Sequence, residues 1–333
     1  MIQKIRNWLI LIRAHTVVLE APMAFLGAAI GLGTIYDPRV GLWLGFGVLY
    51  HVVGYSMNSY TDWKKGFDKD DERKQHHPLN TGDITPESAK KFVYALTGLL
   101  FVYTLALTYP NLPAVGLAFV MVGSGLLYNY FGKYITVKAI PISVAHTLVF
   151  FIPFYTYSST VPMFVVLMTA AYFIHHIFQI AVSGDIKDID QDEASLLDSM
   201  GAYVEDLSDS DADILHTSES ALIFSYLITV MQIGLAVGAT VYIANGAVEY
   251  IPVALLACAV MGITDRIVRP GPFARSKRLS YIAQREIFGY LMIHLAALAV
   301  LTPSEFIAMV ACMFIYLVST SKFMWGNFLV PEV

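Results

Sequence analysis

The sequence predicts an all-α fold, a polytopic transmembrane helical bundle of nine to ten spans, and three observations carry that reading. Of the 333 residues, 56% are hydrophobic and only 14% are charged, against roughly a quarter charged in an ordinary soluble domain. Mean hydropathy is +0.60. Ten solidly apolar runs are each near the length that crosses a bilayer core, and none alternates with the two-residue period of a barrel strand. So few charges cannot cover a soluble globule with these runs inside, and so apolar a chain is not disordered. A net charge of -5 leaves no basic footprint, which excludes nucleic acid as a partner. The 4 Trp, 20 Tyr and 20 Phe suit apolar interiors and interfacial belts.

The runs fall at about 16–35, 40–59, 90–109, 113–131, 139–158, 162–183, 219–244, 249–264, 286–302 and 304–323. The first follows Lys4, Arg6 and Arg13. Gly27, Ala28 and Ala29 imitate a signal-peptidase site, but the apolar run continues past them, so an uncleaved span is expected. Outer connections are short and marked by Pro or Gly, at 36–38, 110–113 and 160–162. The inner loops at about 60–90, 184–218 and 265–285 are long and charged. With ten spans, 20 of the 21 Lys and Arg share one side and only Arg39 falls opposite. The positive-inside rule then puts that side and both termini in the cytoplasm, with function on the same face. The whole of 1–333 is expected to be one transmembrane domain, in a prokaryotic cell membrane. Cys258 and Cys312 each sit in an apolar run, where a buried small hydrophobe is expected rather than a disulfide or metal ligand.

Two acidic clusters stand at the inner ends of spans. Asn58 and Asp62 are four residues apart on one helix face, and Gly66 lets the chain break so that Asp68 can return toward them. Asp185, Asp188 and Asp192, spaced i, i+3 and i+7, share a face at the end of the sixth span. Each run alone reads as a solvated loop face. Two stripes of hard oxygen donors at matching helix ends repel unless a divalent cation joins them, and Mg²⁺ takes a few carboxylates plus water and phosphate oxygens. At the end of the fourth span, Tyr128 and Lys133 offer a hydroxyl and a point charge for phosphate. Taken alone, that segment reads rather as an interfacial aromatic belt with a snorkelling lysine. Glu20, inside the first span, is expensive to bury without a partner. His146, His175 and His176 are expected to be hydrogen-bonded core residues.

These residues resemble the UbiA superfamily of intramembrane prenyltransferases over most of the stretch from Arg13 to Asp192. Asn58 and Asp62 are similar to its Asn-x-x-x-Asp motif, and the continuation through Gly66 to Asp68 resembles the menaquinone-pathway branch, which prenylates dihydroxynaphthoate. Asp185, Asp188 and Asp192 resemble the second motif, Tyr128 to Lys133 the motif after the fourth span, and Arg13 to Thr16 the entry to the first. His77, Pro78 and Leu79 resemble the Arg-Pro-Leu that follows the first motif, with His in the place of Arg. Ser59 and Ala14 also depart from the common pattern.

The resemblance implies a central cavity open to the cytoplasmic side and transfer of a polyprenyl group from its diphosphate to a hydrophobic or aromatic acceptor, a quinone precursor or a lipid. Two Mg²⁺ ions would be held, one by Asn58, Asp62 and Asp68, the other by Asp185, Asp188 and Asp192. Lys133, Lys187, Arg13 and Arg73 would meet the diphosphate, with Asp62, Asp188, Lys133 and Tyr128 at the reacting centre. The partners implied are polyprenyl diphosphate, the acceptor and membrane lipids. A terpene cyclase using the same ionising site remains open. A cation-coupled transporter is disfavoured, because both clusters lie at helix ends rather than at the bilayer midplane.

Overall fold

The computed structural model describes residues 2–69, 74–189, 194–205, 214–244, 250–269 and 275–326. The helices are α1 (Ile2–Leu11), α2 (Ala21–Leu32), α3 (Pro38–Lys65), α4 (Pro86–Thr108), α5 (Leu112–Phe131), α6 (Ala139–Tyr157), α7 (Met163–Phe178), α8 (Asp185–Asp188), α9 (Leu196–Ser199), α10 (Glu219–Ile243), α11 (Tyr250–Val268), α12 (Arg275–His294) and α13 (Pro303–Trp325). Among the described residues, 9 helical segments are long and apolar enough to cross a membrane, and the chain is a multi-pass membrane protein.

One expected span has a different character. The run at 286–302 is the apolar second half of α12 followed by a 3-10 turn, Leu295–Ala299. Helix α12 starts on Arg275, Lys277 and Arg278, which keep it out of the set that qualifies by composition. Helix α11 runs on to Val268, so the connection expected at 265–285 is short. Helix starts explain the prolines that mark the turns. Pro38, Pro86 and Pro303 occupy first-turn positions behind the caps Asp37, Thr85 and Thr302, where a missing N–H is harmless. Thr302 and Glu305 complete a reciprocal capping box.

The chain forms two compact units. The first comprises Met1–Tyr130, Leu148–Ser159 and Val300–Val333. Within it α2 packs along α3, α3 along α4, and α13 against α1 and a 3-10 turn at Ala14–Val18. Small residues set the closest approach. A Cβ on Gly27 would fall 2.1 Å from the Phe150 carbonyl oxygen, and one on Gly31 would fall 2.6 Å from that of Phe154, so α2 touches the later half of α6 backbone to backbone.

The second unit comprises Phe131–Thr147 and Thr160–Ala299. Here α7 packs along α10, α10 along α11, and α11 along α12, around a core that includes Phe178, Val182, Ile186, Leu197, Ile228 and Ile267. One element departs from the all-helical expectation: β1 (Tyr203–Glu205) pairs antiparallel with β2 (Ile214–His216), with Val204 opposite Leu215. The acidic residues at 206–213 lie outside the described residues. Both cysteines correct the burial expectation. Cys258 and Cys312 are exposed, on faces of α11 and α13 whose apolar surface suits lipid.

Replacing Gly27 with Ala should force the α2 and α6 backbones apart and cost about 1–3 kcal/mol by overpacking. Gly41→Ala is the control, since a Cβ there meets nothing within 4 Å. Thermal unfolding in detergent should show a lower midpoint for the first variant alone.

Candidate functional site

The first acidic set is built by the end of α3. Asn58 and Asp62 stand one turn apart, and the Asn58 Nδ2 donates to Asp62 Oδ2 at 3.2 Å. Asp62 is buried, at 5% exposure. Helix α3 then stops at Gly66, whose φ of 96° is open to glycine at no steric cost. The chain turns back and buries Asp68 against Lys74, Nζ to Oδ1 2.6 Å. Asn80 Nδ2 ties this turn together by donating to the carbonyls of Asp68 and Lys74, at 2.9 and 2.8 Å. Arg73 lies outside the described residues; the buried cation beside Asp68 is its neighbour Lys74, which sequence reasoning passed over. His77 is partly enclosed, and burial pushes its pKa down to about 4. It therefore stays neutral at pH 7 and does not replace the charge of an arginine.

Arg13 sits between α1 and the 3-10 turn in the left-handed region, with φ of 47°, a conformation that a residue with a Cβ adopts at some cost. Its carbonyl accepts from Thr16 N at 3.0 Å and Thr16 Oγ1 at 2.9 Å. The His51 Nε2 lies 3.1 Å from the same oxygen, and the His51 Nδ1 lies 2.7 Å from Glu20 Oε2. Glu20 thus has the partner that its burial requires. The Arg13 guanidinium lies over the Tyr55 ring, 5.3 Å from its centroid.

Tyr128 is half-buried near the end of α5, and Lys133 is half-buried in a 3-10 turn, Gly132–Tyr134.

The second acidic set follows a π-helical turn, Gln179–Gly184, that continues α7. Asp185 is fully buried. Its Oδ1 is 2.8 Å from Lys138 Nζ. Its Oδ2 accepts from Ser195 Oγ at 3.0 Å and from the backbone N–H groups of Leu196 at 2.6 Å and Leu197 at 3.1 Å. The carboxylate closes the chain onto the start of α9. Helix α8 carries Asp185 and Asp188. Lys187 is half-buried, while the Asp188 side chain and Asp192 lie outside the described residues. Among the described residues no three His, Cys, Asp or Glu side chains are grouped to hold a metal ion. Cluster one belongs to the first unit and cluster two to the second.

The second unit also encloses a polar group that the sequence showed only in part. Arg285 of α12 is fully buried. It donates to Gln232 Oε1 at 2.5 Å and to His175 Nδ1 at 3.0 Å, and it stacks 3.8 Å from the centroid of the Phe178 ring. A Cβ on Gly289 would fall 2.7 Å from His175, so the group is tightly packed.

Replacing Asp185 with Ala should break its buried pair with Lys138 and remove the acceptor of the Leu196 and Leu197 N–H groups, a loss of about 3–5 kcal/mol. Lys138→Met added to Asp185→Ala should recover part of it. The midpoints of thermal unfolding in detergent compare the two.

With this geometry in view, comparison with known proteins gives a consistent answer. No curated protein sequence matches the chain. Among solved structures, a digeranylgeranylglyceryl phosphate synthase is similar at 18% identity and TM-score 0.61, over 93% of this chain and 99% of that one. A UbiA homologue from Aeropyrum pernix K1 is similar at 16% identity and TM-score 0.62, over 85% of this chain and 96% of that one. A UbiA homologue from Archaeoglobus fulgidus bound to GPP and Mg²⁺ is similar at 16% and 0.59, over 92% and 99%. At these identities the structures establish a shared fold. The model of the UbiA prenyltransferase family matches residues 21–284, most of the chain, and the protein belongs to that family.

Proposed function

We propose that this prenyltransferase uses Mg²⁺ to release diphosphate from a polyprenyl diphosphate and joins the allylic carbon to a hydrophobic or aromatic acceptor, a quinone precursor or a lipid. The observation that carries the proposal is the Asn58 and Asp62 pair: a carboxylate buried beside a carboxamide at the last turns of a spanning helix. Both side chains offer the hard oxygens that Mg²⁺ takes, one turn apart on one face of one helix. The donor set therefore fits the ion. Support comes from the Archaeoglobus fulgidus homologue with GPP and Mg²⁺ and from another structure of a homologue from that organism with DMAPP and Mg²⁺.

In this scheme Asn58, Asp62 and Asp68 would hold one Mg²⁺, and Asp188 and Asp192 would hold the second. The oxygens of Asp185 are engaged by Lys138 and the start of α9, so we assign Asp185 the anchoring of that set. When bound, Mg²⁺ offsets the negative charge that grows on the leaving diphosphate. Arg13, Arg73, Lys133 and Lys187 supply fixed positive charge to the diphosphate oxygens, and the Tyr128 hydroxyl donates beside them. The bond from the allylic carbon to oxygen breaks with its electron pair leaving on diphosphate. A nucleophilic atom of the acceptor bonds to that carbon and gives up its proton. With ten spans, the skew of Lys and Arg favours the cytoplasmic side for this chemistry and for both termini.

Asp62→Ala and Asp188→Ala, purified in detergent, should each lose about a hundredfold or more of Mg²⁺-dependent diphosphate release from geranyl diphosphate while eluting as folded protein. Full activity in both variants overturns the assignment. Labelled prenyl diphosphate supplied with and without a quinol precursor separates transfer from cyclisation: a hydrocarbon as the sole product identifies a cyclase.

A further inference from the structure

The one described non-glycine residue with positive φ is Arg13, and a buried pair of ionisable side chains that the proposed chemistry does not use is fastened to its carbonyl. His51 and Glu20 are side by side in the first unit, their side chains 0% and 1% exposed. With a proton on each nitrogen, the His51 ring donates to the Glu20 carboxylate on one side and to the Arg13 carbonyl on the other, and balances the carboxylate's charge. Such a device is costly in an apolar interior unless it holds something in place.

What it holds is one end of a continuous face. On α3, His51, Tyr55, Asn58 and Asp62 follow at i, i+4, i+7 and i+11, so all four project within a narrow arc. His51 packs against Tyr55 at 4.4 Å between ring centroids, and the Arg13 guanidinium lies over Tyr55, one turn before Asn58. A second fastening comes from α13, where the Tyr316 Oη donates to the Ala14 carbonyl at 2.9 Å. The left-handed turn at Arg13 is thereby gripped on consecutive carbonyls from two helices. Neither Arg13 nor Glu20 falls within the residues matched by the family model, which begin at 21.

We propose that Glu20 and His51 are positioning residues for Arg13: His51, set by Glu20, holds the strained turn so that the guanidinium is aligned with the Asn58 and Asp62 face and ready for a prenyl diphosphate. The proposal rests on the reading of Arg13 as a diphosphate-binding cation. Losing the clamp weakens capture of the diphosphate and leaves the chemistry after capture in place.

The test is steady-state kinetics of diphosphate release from geranyl diphosphate with Mg²⁺, using the full-length protein in detergent. Arg13→Ala, His51→Phe and Glu20→Met should each raise KM for geranyl diphosphate about tenfold, with kcat of the two clamp variants, His51→Phe and Glu20→Met, within threefold of wild type. Glu20→Gln, which keeps an oxygen opposite His51 Nδ1, should recover most of the Glu20→Met loss. The Arg13→Ala/His51→Phe double variant should be no worse in KM than Arg13→Ala alone, since the clamp acts only through that arginine. Glu20→Met in the same cycle serves if His51→Phe does not fold. A KM within twofold of wild type in the clamp variants, or a double variant whose effect is the product of the single effects, overturns the proposal. An unaltered KM in Arg13→Ala itself, or an inactive wild type, marks instead the failure of the reading of the site on which it rests.

Discussion

A carboxylate taken out of water in an apolar helical interior is stable only where a counter-group meets it, and this constraint organises the polar interior of both units. Glu20 is met by His51, Asp68 by Lys74 and Asp185 by Lys138. Each pairing fixes a piece of backbone as well as a charge. The first holds the turn before α2, the second closes the chain after α3, and the third sits on a carboxylate that also ties α8 to the start of α9. Removing one partner from any of these pairs takes away a charge contact that burial makes strong.

Much of the fold was legible because membrane spans are written in composition. Long apolar runs and the Pro-marked turns between them correspond to helices α2 to α7, α10, α11 and α13. Helix α12 was read as a shorter apolar run starting late, since its basic first turns mask a helix that begins at Arg275. The cysteines were misplaced for a related reason. In a soluble protein an apolar helix face is an inner face, whereas here apolar faces also form the outside, and Cys258 and Cys312 lie there.

The site was legible to the extent that it follows helical geometry. Asn58 and Asp62 are one turn apart on a helix that continues through both, and they meet as their spacing implied. Asp68 was expected to turn back at Gly66; that its partner would be Lys74, and that Asn80 would fasten both, depends on a loop whose path no periodicity encodes. In the second set, Asp185 follows a π-helical turn, and its bonds to Lys138 and to the start of α9 lie outside anything that helical spacing encodes. Lys138 and Arg285 drew no notice as site candidates because nothing in the local sequence separates a basic residue at a membrane boundary from one that is enclosed.

The grip of α13 on the Arg13 turn has a consequence for the order in which the molecule is assembled. Tyr316 and Ala14 are 302 residues apart, and Arg6 Nε reaches the Met324 carbonyl at 2.7 Å. A nascent chain emerging from the ribosome exposes α1 and its turn first and α13 late. Until that late helix inserts, the Arg13 turn has the contact from His51 but not the one from Tyr316. The turn thus gains its full set of contacts only once the far end of the chain has been translated.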